Sequence, residues 1–151
     1  MSVKITPHGT TGNHFPTGRF VRAMVGLNTA VYRLLGGRGM KKMAILTTVG
    51  ARSGLRRSLP VAVFAPGADT WWVVASKGGS ATHPAWYLNL ASNPDQVELE
   101  IGNRSLRVRA ESLHGAERDD AWRTIVSLAP NFGEYAKSTD REIPVVKLTA
   151  A

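Results

Sequence analysis

Short apolar runs of β-strand character follow one another at hairpin spacing, and this pattern restricts the fold of the chain most strongly. Residues Val97–Ile101 and 104–110 are separated only by a Gly-Asn pair, which is typical of a tight β-hairpin. In the second run apolar residues alternate with Arg107 and Arg109, which predicts one buried and one exposed face. The other predicted strands cover residues 44–49, 58–65, 70–76 and 143–148, with a turn over residues 66–69.

The spacing of these strands favours an antiparallel β-barrel with peripheral helices, an α+β protein. A βαβ Rossmann unit would need crossover helices between the early strands, and no segment there fits one. Helical periodicity predicts helices over residues 19–35, 84–91 and 115–129. The apolar face of the last helix is predicted to consist of Ala121, Trp122, Ile125 and Leu128. The prediction is a single barrel domain over residues 19–151.

The N-terminal part of the chain has two distinct patterns. Residues 1–18 contain two prolines and three glycines without periodicity, which predicts a flexible arm. The helix over residues 19–35 carries arginines beside an apolar stripe. It is interpreted first as a helix packed on the domain, and alternatively as a basic amphipathic helix in peripheral contact with an anionic membrane, as a dimer contact or as a lid over the site.

Composition narrows the class of partner. The chain has 151 residues, a net charge of +8 and no cysteine. The charge implies an anionic partner, either nucleic acid, anionic lipid or a phosphorylated cofactor. Small scattered basic clusters argue against a nucleic-acid arm, and scattered histidines argue against a metal site. The lack of cysteine excludes disulfides and fits a cytoplasmic protein, and neither a membrane-spanning run nor a secretory signal is recognisable.

Two glycine-containing basic turns each follow a predicted strand. The first spans residues 50–57 and the second spans residues 76–80. Glycine lets backbone N–H groups approach a ligand, and arginine suits phosphate or carboxylate oxygens. The turns match neither a Walker A loop nor a dinucleotide fingerprint. They are therefore interpreted either as solvated hairpin turns or as one cradle for a polyanionic small molecule.

Several later residues add polar and aromatic groups near these turns. Trp86 and Tyr87 are interpreted either as core residues or as a ligand platform. Tyr135 either lines a pocket or caps the last helix, and Asp140 and Arg141 are predicted to form a local ion pair.

Taken in order, these motifs resemble the deazaflavin-dependent nitroreductase family of actinobacteria, whose members use coenzyme F420. The resemblance covers residues 19–148 and implies a split β-barrel of the FMN-binding, pyridoxamine-phosphate-oxidase-like type. The motifs that carry it are Leu46-Thr47-Thr48-Val49-Gly50-x-Arg52-Ser53-Gly54, Arg57-x-x-Pro60, Ala75-Ser76-Lys77-Gly78-Gly79, Pro84-x-Trp86-Tyr87-Leu88-Asn89-Leu90 with Asn93-Pro94, Tyr135, Thr139-Asp140-Arg141 and Ile143-Pro144-Val145.

The resemblance also implies roles for individual residues toward F420. Those implied to meet its phosphate or acidic tail are Arg52, Ser53, Gly54 and Arg57, with Lys77 and Gly78 close by. The best-known nitroreductase of the family has a basic residue where Ala51 stands here, so part of the cradle is either missing or supplied by Arg56. Those implied to border the deazaflavin ring are Pro60, Val61, Ala62, Val63, Ala75 and Ser76, with Trp86 and Asn89 shaping the pocket.

The activity implied by the resemblance is hydride transfer from reduced F420 to an electron-poor acceptor, an enone, quinone or nitro compound. The proton is expected from solvent, Tyr135 or Ser76, and Tyr135 is implied to face the substrate side. Substrate-side tyrosines of that nitroreductase correspond here to Ala62, Ala129 and Phe132. Two alternatives remain: an FMN-binding oxidoreductase on the same barrel, and a non-catalytic module for anionic lipid or nucleic acid. Monomer and homodimer are both open.

Overall fold

The computed structural model describes residues 3–14, 23–27, 29–30 and 43–151, and seven strands of this part form one curled sheet. The order of the strands across the sheet is β2-β1-β5-β6-β7-β4-β3, and every neighbouring pair is antiparallel. The strands are β1 (Met43–Val49), β2 (Arg56–Ala62), β3 (Phe64–Gly67), β4 (Thr70–Val74), β5 (Val97–Ile101), β6 (Arg104–Ser112) and β7 (Val145–Ala150). The predicted antiparallel barrel class is confirmed.

The predicted β5–β6 hairpin is confirmed in register as well as in position. Ile101 pairs with Arg104 across the Gly-Asn turn, and Val97 pairs with Val108. Along β6 the apolar residues lie inside, whereas Arg107 and Arg109 are exposed. The two-residue period of a strand therefore separates core from solvent as the sequence predicts.

The predicted strand over residues 58–65 is wrong as a single strand. β2 ends at Ala62 and β3 begins at Phe64, and these two strands lie at opposite ends of the sheet order. The chain crosses at Val63, because β2 pairs with β1 whereas β3 pairs with β4. The sheet is curled so that β2 also contacts β4. The predicted turn at 66–69 is shorter too, since β3 extends to Gly67.

Two of the predicted helices match helices of the structure. These are α1 (Ala85–Ser92) and α2 (Gly115–Leu128), although Leu128 is 58% exposed and does not belong to the buried face. A third helix, α3 (Asn131–Ser138), is absent from the sequence prediction, which assigns no element to this segment. Proline is well tolerated at a helix start, and Pro130 stands there immediately before the first helical residue.

The core has two parts, one on each side of the curled sheet. Inside the curl, Leu46, Leu99 and Leu148 pack with Tyr87 and Leu90 of α1. Outside it, α2 and α3 cover a second cluster of Phe64, Val74, Leu113, Ala121, Ile125, Phe132, Ile143 and Val145. Burial of each large apolar side chain contributes about 1.5–3 kcal/mol, so the two clusters anchor the helices to the sheet.

The N-terminal residues that the structure describes lie along the body of the protein. The sequence predicts a flexible arm over residues 1–18, and residues 3–14 indeed contain neither helix nor strand. They nevertheless make hydrogen bonds to distant residues: the Tyr87 hydroxyl donates to the Lys4 carbonyl at 3.0 Å, and the Gly9 N–H donates to the Ala81 carbonyl at 2.8 Å. Of the helix predicted over residues 19–35, residues 23–27 and 29–30 are helical, and the rest lies outside the described residues.

Candidate active site

The first basic turn is a compact loop closed by its own backbone. The Gly50 N–H donates to the Leu55 carbonyl at 2.8 Å, and the Gly54 N–H donates to the Gly50 carbonyl at 3.0 Å. The Ser53 hydroxyl accepts from the Leu55 N–H at 3.1 Å, so it stabilises the loop itself. Gly54 has φ of +70°, a conformation that favours glycine. The exposed side chain of Arg52 projects from this loop.

The arginines of this turn are not brought together on one face. Arg56 and Arg57 are consecutive residues of β2, so the strand directs them to opposite faces. Arg56 forms an ion pair with Glu98 of β5 on the outer face. There the two side chains help line an outer cavity of about 220 Å³, formed also by Thr47, Val49, Gly54, Gln96 and Arg107. Arg57 stands opposite Thr48, on the inner face.

Helix α1 connects directly to the first turn through Asn89. The Asn89 side chain accepts from the Ala51 N–H at 3.0 Å and donates to the Thr48 hydroxyl at 3.4 Å. Trp86, from the same helix, is buried in the inner core with its ring edge-on to Tyr87 at 6.4 Å. The structure thus places Asn89 at the turn and Trp86 in the core beneath it.

The second basic turn is a tight 3₁₀ segment between β4 and α1. The Gly79 N–H donates to the Ser76 carbonyl at 2.9 Å, and the Ser80 N–H donates to the Lys77 carbonyl at 3.1 Å. Lys77 has φ of +45°, which is unusual for a residue with a side chain. Its ammonium group donates to the Thr82 hydroxyl at 3.0 Å. Through the antiparallel pairings β1-β5-β6-β7-β4, strands β1 and β4 run in the same direction, so the turns that follow them lie at the same end of the barrel.

The backbone of Tyr135 lies against this turn, whereas its side chain packs on the second core cluster. A Cβ added to Gly79 would lie 2.8 Å from the Tyr135 carbonyl oxygen, so this glycine permits α3 to pack on the turn. The Tyr135 ring is edge-on to Phe132 at 5.8 Å. Ala62 and Ala129 pack on the same cluster. The four positions that the resemblance assigned to the substrate side therefore belong to one apolar cluster.

The residues assigned to the ring lie where the two ends of the sheet approach each other. Pro60, Val61 and Ala62 are half-buried in β2, and Val63 is buried at the crossover. Ala75 and Ser76 are buried just after β4, the strand that contacts β2. Val61, Val63 and Ala75 thus belong to the inner core cluster, whereas Ala62 packs on the outer one, so the structure brings only part of this set together.

The predicted ion pair between Asp140 and Arg141 is wrong. The Asp140 carboxylate accepts from the N–H groups of Thr10 and Thr11 at 2.7 and 3.0 Å and from the Thr10 hydroxyl at 2.5 Å. These bonds, with that from the hydroxyl contributing most, hold the pKa of Asp140 below its ordinary value. The carboxylate is therefore used to attach the N-terminal residues.

Sequence reasoning missed the role of Arg141, which is buried and 6% exposed. Its guanidinium donates to the carbonyls of Ala75, Ser76 and Ser80 at 3.1, 2.7 and 2.7 Å. Desolvation by burial lowers the pKa of Arg141 from its ordinary value. No sequence signal points to these contacts, because they join residues 61 to 66 positions apart.

His83 completes the buried polar group next to Arg141. Its Nδ1 lies 3.1 Å from an Arg141 Nη1, which can only donate, so Nδ1 is the acceptor. Its Nε2 then carries the proton and donates to the Thr6 carbonyl at 2.6 Å. Burial, and to a smaller degree the charge of Arg141, lower the pKa of His83 and favour the neutral ring.

The free cations of this edge fit an anionic ligand. Within the described ranges neither Arg52 nor Arg57 forms an ion pair or a side-chain hydrogen bond. The Lys77 ammonium donates to a neutral hydroxyl. Guanidinium and ammonium groups that lack carboxylate partners can donate to phosphate or carboxylate oxygens. The residues present therefore suit a cofactor with a phosphate and an acidic tail.

Comparison with known proteins identifies a family. Residues 20–150 match the family model of the F420H2-dependent quinone reductases. The chain is 35% identical over 132 residues to a Mycobacterium tuberculosis F420H2-dependent quinone reductase, a match that covers 82% of this chain and 87% of the relative. A match of the same identity and coverage is found in Mycobacterium bovis.

Solved structures agree with this comparison. An F420H2-dependent reductase shares 37% identity with a TM-score of 0.65, covering 72% of this chain and 94% of the other. A pyridoxamine 5′-phosphate oxidase-like protein of Listeria innocua has a TM-score of 0.51 at 13% identity, covering 82% of this chain and 93% of the other, which shows a shared fold.

Proposed function

The chain belongs to the F420H2-dependent quinone reductase family and is an F420H2-dependent reductase, and we propose that the edge formed by its two basic turns binds the cofactor for reduction of a quinone. The observation that carries the proposal is the position of α1. Asn89 of this helix binds the first turn, and the second turn leads into the start of the same helix. Because β1 and β4 run in the same direction, the two cationic segments that follow them lie at one end of the barrel.

The phosphate and acidic tail are assigned to cations of this edge that pair with no carboxylate among the described residues. Arg52 and Arg57 are proposed to donate to phosphate or carboxylate oxygens, together with Lys77. Ser53, Gly54 and Gly78 would shape the backbone beside these oxygens. Arg56 is left out of this set, because it is paired with Glu98 on the outer face.

The ring is assigned to the seam between β2 and β4. Pro60, Val61, Ala62 and Val63 would line it on one side, with Ala75 and Ser76 on the other. Trp86 would support the ring site indirectly, because its side chain packs α1 into the inner core. An apolar seam of this kind excludes water and so protects a hydride donor from side reactions.

The reaction needs a hydride and a proton. The reduced cofactor, when bound, supplies the hydride to the quinone. The proton that completes the hydroquinone is proposed to come from Tyr135 or Ser76. The apolar cluster of Ala62, Phe132 and Tyr135 would hold the hydrophobic ring of the quinone beside these groups.

The test is a binding titration followed by a turnover screen. Difference absorbance on adding F420 should show saturable binding, and FMN should show none under the same conditions. F420H2 oxidation should then be fastest with quinones and slower with nitroaromatic compounds and enones. Failure to bind F420 at large excess, or turnover without preference for quinones, would contradict the proposal.

Other sequence predictions about partners remain predictions. No helix in the described ranges is long and apolar enough to span a membrane. The predicted peripheral membrane contact depends on residues 19–35, which lie mostly outside the described residues. Cytoplasmic location and the choice between monomer and homodimer are likewise untested; one similar solved structure, at 32% identity and a TM-score of 0.66, is a domain-swapped dimer.

A further inference from the structure

Arg141 lies outside the residues proposed to touch the cofactor, yet within the described part of the chain its guanidinium binds the backbone of residues 75–80 and His83. It donates to the carbonyl of Ala75, just before the turn, and to those of Ser76 and Ser80 within it, at 2.7 to 3.1 Å. We propose that Arg141 is a positioning residue for the reductase, which holds the backbone of residues 75–80 in the conformation that receives the anionic cofactor. This inference rests on the proposed function of the second turn.

The chemistry of the contacts requires a guanidinium. Its planar fork offers five N–H donors in fixed directions, and here they reach three carbonyls and a ring nitrogen. A lysine ammonium would keep the charge but could not reach all four acceptors from one position. Since Arg141 is buried, a carbonyl that it released would lose that hydrogen bond without gaining water, although the Ser76 carbonyl would still accept from the Gly79 N–H.

The turn needs external support because its own conformation is strained. Lys77, Gly78 and Gly79 have φ of +45°, +62° and +81°, so three consecutive residues are in the left-handed region. Lys77 pays a steric cost there that glycine does not. Such a conformation persists only where surrounding contacts fix it, and the Arg141 fork supplies three of these contacts.

The charge of Arg141 adds a second effect. Among the described residues no carboxylate pairs with its guanidinium, so the buried positive charge is not neutralised at the turn. A buried cation behind Ser76 and Lys77 raises the positive potential where the proposed anion binds. The variant Arg141→Lys separates the two effects, because it removes the hydrogen-bond geometry of the guanidinium and keeps the positive charge.

Asn13, which also forms hydrogen bonds with the turn, provides a matched comparison. Asn13 donates from its side chain to the Gly78 carbonyl at 3.0 Å and from its backbone to the Gly79 carbonyl at 2.9 Å. This side chain is exposed, so solvent can replace it. Asn13→Ala should therefore disturb the turn much less than a change at Arg141.

The experiment measures F420 affinity and backbone hydrogen exchange in Arg141→Lys, Arg141→Ala and Asn13→Ala. Ile125→Ala, in the second core cluster, controls for general loss of stability. Both Arg141 variants should bind F420 about tenfold more weakly or worse. Their amides should exchange faster over residues 76–82 without cofactor, whereas the β5–β6 hairpin should be unchanged. Millimolar guanidinium, but not sodium chloride, should partly restore F420 affinity to Arg141→Ala.

Several results would overturn the inference. Wild-type affinity in Arg141→Lys would show that the charge suffices and the fork does not position the turn. An equal loss of affinity in Ile125→Ala would show a general stability effect. Faster exchange in the Arg141 variants with unchanged affinity would show that the turn conformation does not matter for binding.

If the variants do not fold, hydrogen exchange in the wild-type protein tests the inference. The amides of Gly79 and Ser80 should already be protected before F420 is added and should change little when it binds. Protection that arises only with F420 would mean that the cofactor, and not Arg141, orders the turn. Failure of wild-type protein to bind F420 would refute the proposed function, whereas the exchange pattern without cofactor would still test the role of Arg141.

Discussion

Arg56 and Arg57 are adjacent in sequence, but their side chains serve opposite faces of β2. Arg56 is paired with Glu98 on the outer face, whereas Arg57 is opposite Thr48 on the inner face. Thr48 in turn accepts a hydrogen bond from Asn89 of α1. The strand therefore directs one charge toward the proposed cofactor edge and keeps the other in a surface ion pair.

Arg57→Gln should weaken F420 binding far more than Arg56→Gln. Loss of one hydrogen bond to a charged group costs about 1.5–3 kcal/mol, or roughly a tenfold to hundredfold higher Kd. The Arg56 variant should change Kd by less than about threefold, because exposed ion pairs contribute little. Parallel titrations with F420 at fixed ionic strength measure both values.

The salt dependence of the two variants provides a control. The wild-type Kd should rise with added salt, and this dependence should become weaker in the Arg57 variant only. Equal effects of the two substitutions would mean that both arginines contact the cofactor or that neither does.

The sequence predicted those parts of the fold that depend on local pattern. The alternation of apolar and polar residues along β6 and the Gly-Asn pair predict the hairpin. Both signals depend on residues that are only a few positions apart in the sequence. The break at Val63 could not be predicted in this way. Residues on both sides of it have strand character, and only their pairing with different strands separates β2 from β3.

The candidate site shows the same division. The two basic turns were found from glycine and cationic residues that are close in sequence. The split between Arg56 and Arg57 was missed because the predicted strand began at residue 58 and left both in the turn. The contacts of Arg141 with the second turn join residues far apart in sequence, so no local pattern reports them.

Lys77 should respond differently to glycine and to alanine. Either substitution removes the ammonium group and should raise the Kd for F420 to a similar extent. Lys77→Gly relieves the steric cost at φ +45°, whereas Lys77→Ala retains it. The glycine variant should therefore be more stable than the alanine variant by about 1 kcal/mol, as measured by urea unfolding. Equal stability of the two would contradict the strained turn.

Gly79→Ala should be more destabilising than Gly54→Ala. Both glycines have positive φ, so in both variants the strained backbone lowers the free energy of unfolding by about 1–2 kcal/mol. Only at Gly79 would the new Cβ also meet backbone, 2.8 Å from the Tyr135 carbonyl oxygen, for a total of about 2–5 kcal/mol. Nothing lies within 4 Å of a Cβ at Gly54.

Thermal unfolding of the two glycine variants measures this difference. Because the clash displaces α3, the Gly79 variant should also lose F420H2 oxidation with quinones. A similar melting temperature for both variants would show that α3 can move away from the turn without loss.

His83 should make the protein less stable as pH falls below neutrality. Burial lowers its folded pKa below the ordinary 6.5, so the neutral ring is the form that the folded state prefers. Its contribution to the free energy of unfolding is complete above pH 6.5 and declines as pH falls from there through the folded pKa. Urea unfolding at a series of pH values measures the slope.

Substitution identifies the group responsible for that slope. His83→Gln removes the titrating ring, so the unfolding free energy should depend less on pH between about pH 7 and pH 5. The exposed His114 is the matched control, and His114→Gln should retain the wild-type slope. Asp140 acts in a separate window: its pKa is also lowered, so its contribution is present above its ordinary 3.8 and lost only at lower pH. A wild-type slope in His83→Gln would therefore exclude the buried imidazole as its source, with no confusion from the carboxylate.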